Sequence, residues 1–181
     1  AALKEAESSL GPEHRATEQS LSTLSLALRL GGKPDEALPF AQRLVALRTK
    51  QYGASDPSTA IAMHNNAEIL IVQDRFAEAG KLQGRALAVF EKAYGTKHIH
   101  TATALHNMGA IRLKQEKYKE AERFLRRALA AKEKALKPGH LSIAHSLDNL
   151  AAALDGQGRQ AEADKYRRRA DAIRRKAQSS Q

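Results

Sequence analysis

Apolar residues fall along this chain in stripes of helical period, and the stripes recur. Leu105, Met108, Gly109 and Arg112 occupy positions i, i+3, i+4 and i+7 of one stretch, and 42 residues later the same positions hold Leu147, Leu150, Ala151 and Leu154. Apart from Arg112, whose stem must swing aside, this is the buried face of an amphipathic helix. A second helical pattern follows each first one. Ala37, Ala79, Ala121 and Ala163 share a column, each after a glutamate (Glu36, Glu78, Glu120, Glu162). Seven residues after the glutamate stands Arg43, Arg85, Arg127 or Arg169, and seven further on Lys50, Lys92, Lys134 or Lys176. The spacing predicts second helices starting near Pro34, Phe76, Tyr118 and Gln160. Between the paired helices lie Gly31-Gly32, Gln73-Asp74, Gln115-Glu116 and Gly156 to Gly158, which suit tight helix-helix connections.

The chain therefore divides, without a gap, into copies at residues 10–51, 52–93, 94–135 and 136–177, each a helical hairpin. One copy cannot bury its own apolar face, so the pattern predicts a stacked array. Gly11, Gly53 and Gly95 share a column just past the second helices, where a residue able to take positive φ ends a helix. Asp56-Pro57 reads as an N-cap followed by the first helical position. The fourth junction carries Lys137 with Pro138-Gly139 behind it, so its turn is expected to differ slightly while still ending the helix. Residues 1–9 align with a second helix (Ala2 with Ala86, Leu3 with Leu129, Glu7 with Glu91 and Glu133) and are expected to be the end of a preceding copy. In the last second helix Arg167, Asp171 and Arg174 replace Leu125, Leu129 and Lys132, a polar outer face expected of a terminal cap, and residues 178–181 are expected to be a frayed tail.

Tyr118-Lys119-Glu120-Ala121 leading to Arg127-Ala128-Leu129 resembles the second helix of a tetratricopeptide repeat. The 42-residue spacing, the run His140, Ala144, Leu147, Asn149 with its match His98, Ala102, Leu105, Asn107, and Pro39 inside a second helix resemble the kinesin-light-chain subclass. Its hairpins are longer than the usual form of about 34 residues. The resemblance spans all four copies and implies an all-α, right-handed solenoid of stacked helix-turn-helix repeats. It further implies a protein-interaction scaffold, in which the first helices line a concave groove.

At about 100° per residue, the face of the first helices opposite their apolar stripe carries Ile61, His64, Asn65, Glu68 and Val72, then Thr103, His106, Asn107, Ala110 and Lys114, then His145, Asp148, Asn149, Ala152 and Gly156. Stacked, they would form one strip, and His64, Asn65, Glu68, His106, Asn107, Lys114, His145, Asp148 and Asn149 are its candidate peptide contacts. Asn65, Asn107 and Asn149 share a column, and an amide that donates and accepts can pair with an extended main chain whatever its side chains. The resemblance implies that these three contact a cargo peptide; the alternative is that they bond neighbouring helices or solvent. Thr23 takes the place in the first copy, which centres the groove on copies two to four. The lysine-asparagine pair with which chaperone-binding relatives hold a C-terminal carboxylate is not evident, since Ser22 and Leu26 stand there.

With 42% hydrophobic residues but four Phe, four Tyr and no Trp, the core must be aliphatic, and 181 residues suffice to bury one. No run of about eighteen apolar residues predicts a membrane span, and Ala1 to Glu7 do not read as a signal peptide. The absence of cysteine excludes disulfides, thiolate chemistry and cysteine-based zinc sites, and favours a reducing, cytoplasmic location. Among seven histidines, His98 and His100 share a junction while His64 and His106 lie one copy apart. No carboxylate spacing completes a ligand set, so neither metal nor cofactor is expected. His64 and His106 would instead make peptide binding respond to pH.

The net charge of +10 sits largely on second helices, in Arg123, Arg126, Arg127, Lys132 and Lys134, then Arg167, Arg168, Arg169, Arg174, Arg175 and Lys176. Pairs such as Glu120 with Arg123 and Glu162 with Lys165 offset some of it by tenths of a kcal/mol. The remainder reads as a solvated convex face, or alternatively as a surface for nucleic acid or another polyanion. Few aromatics and no reading motif speak against nucleic acid. Gly156-Gln157-Gly158 is a hairpin turn rather than a phosphate loop, because no strand precedes it and a third glycine is missing. Serines and acids fall on exposed helical faces without a histidine placed to form a relay, so an enzyme is not expected. The pattern leaves partner identity and oligomeric state open.

Overall fold

A computed structural model describes residues 2–179, and among them every regular element is an α-helix. In chain order these are α1 (Ala2–Leu10), α2 (Arg15–Leu30), α3 (Pro34–Tyr52), α4 (Pro57–Val72), α5 (Phe76–Tyr94), α6 (Ile99–Lys114), α7 (Tyr118–Ala135), α8 (Leu141–Asp155) and α9 (Gln160–Gln178). The second helices begin at the four residues that the spacing predicts. Residues up to Val89 and residues from Phe90 form two compact units. In the first, α2 packs against α1, α3 and α4, and α3 also against α4. In the second, α7 packs against α6 and α8, and α8 against α6 and α9.

The helix starts share one device with two chemistries. Asp56 caps α4 by accepting from the Ser58 N–H at 2.7 Å. In the same column His14, His98 and His140 cap α2, α6 and α8, each accepting through Nδ1 from the backbone N–H two residues on, at 3.1 to 3.2 Å. An unprotonated imidazole nitrogen thus does the work of a carboxylate oxygen. At the helix ends Gly53 and Gly95 take φ of 89° and 79°. The fourth junction differs as expected: Leu136 is extended, and the left-handed residue is Gly139 at φ 93°. Inside the hairpins the left-handed position falls on Asp74 and Glu116, both at φ 57°.

The core is aliphatic. In the second unit Ala121, Leu125 and Leu129 of α7 meet Ile143, Leu147, Leu150 and Leu154 of α8, with Ala163 and Ala170 of α9. In the first, Leu21, Leu44, Leu47 and Ala62 form the centre, and Leu3 of α1 packs on them. Glu7 of α1 pairs with Arg43, as Glu91 does with Arg127 and Glu133 with Arg169. Thus α1 keeps a second-helix register. The polar face of α9 is covered by ion pairs of Arg167 with Asp155 and Asp164, and of Arg174 with Asp148 and Asp171. Of the expected tail, Gln178 closes α9, Ser179 is a turn, and Ser180 and Gln181 lie outside the described residues.

Arg112 does swing out of the stripe: it pairs with Glu120 at 2.9 Å and donates to Gln115 at 2.7 Å. Gly109 admits a close approach, since a Cβ there would lie 2.5 Å from Cγ of the fully buried Leu125. The same pair of columns holds Ala67 with Gln83 and Ala151 with Arg167, so bulk on one helix is matched by its absence on the other. Gly109→Ala is therefore expected to destabilise by about 1–3 kcal/mol through overpacking, despite its gain in helix propensity. Denaturant unfolding of Gly109→Ala, Leu125→Ala and the double variant checks this. The double variant should lose clearly less than the two single losses together, and additive losses would refute the contact.

Candidate binding face

The nine side chains expected on one strip divide into those the helices employ and those they leave outward. In the first unit His64 is held by its own hairpin, Nδ1 lying 3.1 Å from Oε1 of buried Gln83 and Nε2 3.5 Å from Glu68. Glu68 also meets Arg29 of α2 at 3.3 Å, and Asn65 beside them is half-buried. In the second unit Lys114 and His145 are exposed, while Asn107 and Asn149 are half-buried. Asp148 is paired with Arg174.

His106 is the centre of a buried polar cluster that joins three helices. Lys132 of α7, only 3% exposed, donates to Ser146 Oγ at 2.9 Å and to the Ser142 carbonyl at 3.3 Å. Ser146, fully buried in α8, lies 3.1 Å from His106 Nδ1 and donates to the Ser142 carbonyl at 3.3 Å. Asn149 Nδ2 lies 3.4 Å from His106 Nε2. One proton arrangement satisfies all of these: a neutral His106 donates from Nδ1 to Ser146 and accepts from Asn149 at Nε2. A second proton on His106 would face the Asn149 amide hydrogens and the Lys132 charge. Burial first, then Lys132 and His145, push its pKa down to about 3. His106 therefore does not titrate near neutrality, contrary to the sequence expectation of a pH-responsive groove residue.

The cluster also holds a serine–histidine contact that the sequence does not suggest. Ser146 and His106 are 40 residues apart and meet only because α8 packs on α6. It is not a hydrolytic relay, because Ser146 has no exposed surface, its hydroxyl proton goes to a carbonyl, and no carboxylate orients the imidazole.

Lys132 shares its column with Arg48, Phe90 and Arg174, and the two arginines show what it lacks. Arg48, 84 residues earlier, donates to the Ser58 carbonyl at 2.8 Å, the counterpart of Ser142, and is neutralised by Glu18 at 2.7 Å. Arg174, 42 residues later, is neutralised by Asp148, the counterpart of His106. Where those carboxylates would serve Lys132 the chain has Ala102 and His106. Desolvation without a counter-charge pushes the Lys132 pKa down to about 8.

The arginines of the second helices are largely engaged. Arg126 pairs with Glu122 at 2.7 Å and lies 5.7 Å above the Tyr166 ring, while Arg127 and Arg169 pair with glutamates of the preceding second helix. Glu120 and Glu162 pair with Arg112 and Arg159, at 2.9 and 2.7 Å, instead of with Arg123 and Lys165. His98 and His100 stack in a cluster with Phe90 and Tyr94, their own rings 5.2 Å apart, and His98 Nδ1 is occupied by its cap. Among the described residues no three His, Cys, Asp or Glu side chains gather as metal ligands, and no helix is long and apolar enough to cross a membrane.

Comparison with known proteins agrees with this architecture. The tetratricopeptide repeat family model matches residues 58–134 and 101–176. A search of curated protein sequences gave no match. Among solved structures, a kinesin-light-chain-like protein of Podosopora anserina with nearly identical TPR-like repeats is 24% identical, with a TM-score of 0.79 over 97% of this chain and 83% of that one. BtubC (BKLC) from P. vanneervenii is 20% identical, with a TM-score of 0.81 over 90% of this chain and 65% of that one. MamA is 20% identical, with a TM-score of 0.71 over 98% and 88%. The fold is thus an all-α repeat solenoid with kinesin-light-chain-like structural neighbours. Such a fold is typically a non-enzymatic scaffold.

The uncompensated lysine sets a pH dependence with a definite sign. Between pH 8 and 10.5 the unfolded chain holds the proton that folded Lys132 has released, so stability rises with pH across that window, by about 3 kcal/mol at most. His106→Asp, which copies the Asp148–Arg174 pair, should abolish that rise and return the Lys132 pKa towards 10.5. Urea unfolding as a function of pH and an NMR titration of the Lys132 side chain read the two effects; a persisting rise in the variant would show that another group causes it.

Proposed function

Because the chain belongs to the tetratricopeptide repeat family, whose repeats mediate protein–protein interactions, we propose that it is a scaffold holding an extended segment of a partner protein along its first helices. The observation that carries this reading is the state of Asn107 and Asn149. Both keep contact with solvent, 42 residues apart on the packed helices α6 and α8, while Leu105, Met108, Leu147 and Leu150 next to them are buried. Partly open amides on successive helices offer donors and acceptors to a main chain at a fixed spacing, which is what recognition of an extended segment needs. Asn65 holds the same column in the first unit, and exposed Lys114 and His145 flank the face in the second. The charge of Lys132 beneath Ser146 favours acidic over basic side chains in the bound segment.

Peptides selected from a random display library on the whole chain are expected to bind Asn107→Ala/Asn149→Ala at least tenfold more weakly, with helicity by circular dichroism unchanged. Equal affinity for the two proteins would overturn this assignment of the binding face.

A further inference from the structure

Helix α2 is open on a side that α8 has covered. Ser20, Thr23, Leu24 and Ala27 of α2 stand 126 residues before Ser146, Asn149, Leu150 and Ala153 of α8, three whole periods away, and so hold the same positions on an equivalent helix. In α8, which packs against α6 and α7, Ser146, Leu150 and Ala153 are all 0% exposed. In α2, Ser20 and Leu24 are half-buried and Ala27 is exposed. Together with Leu3 and Ala16 they line an open, mainly apolar groove of about 570 Å³ beside α1. On the same helix Leu26 and Leu30 are 44% and 71% exposed.

We propose that this groove docks a single amphipathic α-helix, one with a small and aliphatic stripe and a neutral hydrogen-bonding side chain placed above Ser20 and Thr23. The occupant is read from α6 on α8. There the incoming helix packs Leu113 against the apolar cluster that α8 shares with α7, and sets His106 3.1 Å from Ser146 Oγ and 3.4 Å from the Asn149 amide. Ser20 preserves the serine hydroxyl of that site, and Thr23 offers a hydroxyl where Asn149 offers an amide. The column of Lys132 is Ala6 in α1, so no buried charge waits at this groove and a neutral, apolar helix suits it. A second copy of the chain fits less well. Its α9 presents Arg167, Arg168 and Asp171, all exposed, and two concave α2 grooves set face to face would leave each other unfilled.

The test uses the molecule's own template. A synthetic peptide of residues Ile99–Lys114, the sequence of α6, is titrated into the full chain and followed by backbone-amide NMR, beside a scrambled peptide and an Ala27→Arg chain. Saturable shifts at Leu3 and between Ala16 and Ala27 are expected, with affinity at least tenfold lower for Ala27→Arg and several-fold lower when the peptide carries His106→Ala. Ala27 is exposed, so unchanged circular dichroism of the variant separates lost docking from misfolding. Four results would overturn the proposal: no saturable shift, equal affinity for the scrambled peptide, shifts on α7 and α8 that Ala27→Arg leaves intact, or a concentration-dependent dimer that Ala27→Arg abolishes, which would assign the groove to a second copy. None depends on Asn107 or Asn149, so the peptide-binding reading stands or falls separately.

Discussion

The contact on which each unit depends is made between the last turns of a second helix and the first turn of the first helix that follows. Its position is set by the 42-residue register, and its chemistry is not. Arg48 of α3 donates to the Ser58 carbonyl at the start of α4, Lys132 of α7 donates to the Ser142 carbonyl at the start of α8, and Phe90 stacks on His100 at 5.5 Å in the same column. These carbonyls lie in the first turn of a helix, so an additional donor reaching them from the preceding helix holds the angle at which one hairpin leads into the next. A parallel set of pairs, Glu7 with Arg43, Glu91 with Arg127 and Glu133 with Arg169, ties successive second helices on their outer side. Each of these exposed pairs is worth little alone; their regular spacing makes them a register mark.

Variation within that contact produces a costly site. Arg48 and Arg174 each bring a carboxylate with them, and Lys132 does not. A cation removed from water without a counter-ion must be held by dipoles alone, here a carbonyl and a hydroxyl, and it stabilises less than it would when paired. His106 is kept neutral chiefly by its own burial, and the Lys132 charge beside it adds to the effect. Asn149, bonded to that histidine at one edge and open to solvent at the other, links the buried cluster to the face where a partner would lie. Packing and recognition therefore share residues here.

Much of the fold was legible before any coordinates. Helical period and turn residues place the starts of α3, α5, α7 and α9, and Asp56-Pro57 marks the start of α4, because these signals are local and act through backbone geometry within one turn. The histidine caps were not legible, although His14, His98 and His140 share the column of Asp56. Histidine's weak preference for the cap position hides a role that the column would have suggested. The ion pairs were misread for a related reason. Glu120 and Glu162 each have several cations within reach, and the choice of Arg112 and Arg159 depends on the turn between the helices.

By itself the sequence determined the all-α class, the repeat, the starts of the second helices and the aliphatic stripes, since each is a matter of periodicity and local propensity read along one chain. Only the tertiary structure decided which polar side chains of the first helices engage neighbouring helices. His64 reaches Gln83, His106 reaches both Ser146 and Asn149, and these two histidines stay half-buried, as do Asn107 and Asn149. The two histidines share one column and the two asparagines the next, about 100° further round the helix. What decides the histidines' contacts is the residue that arrives opposite from another helix some 20 to 40 positions away, and burial, hydrogen bonding and charge at that meeting set the outcome.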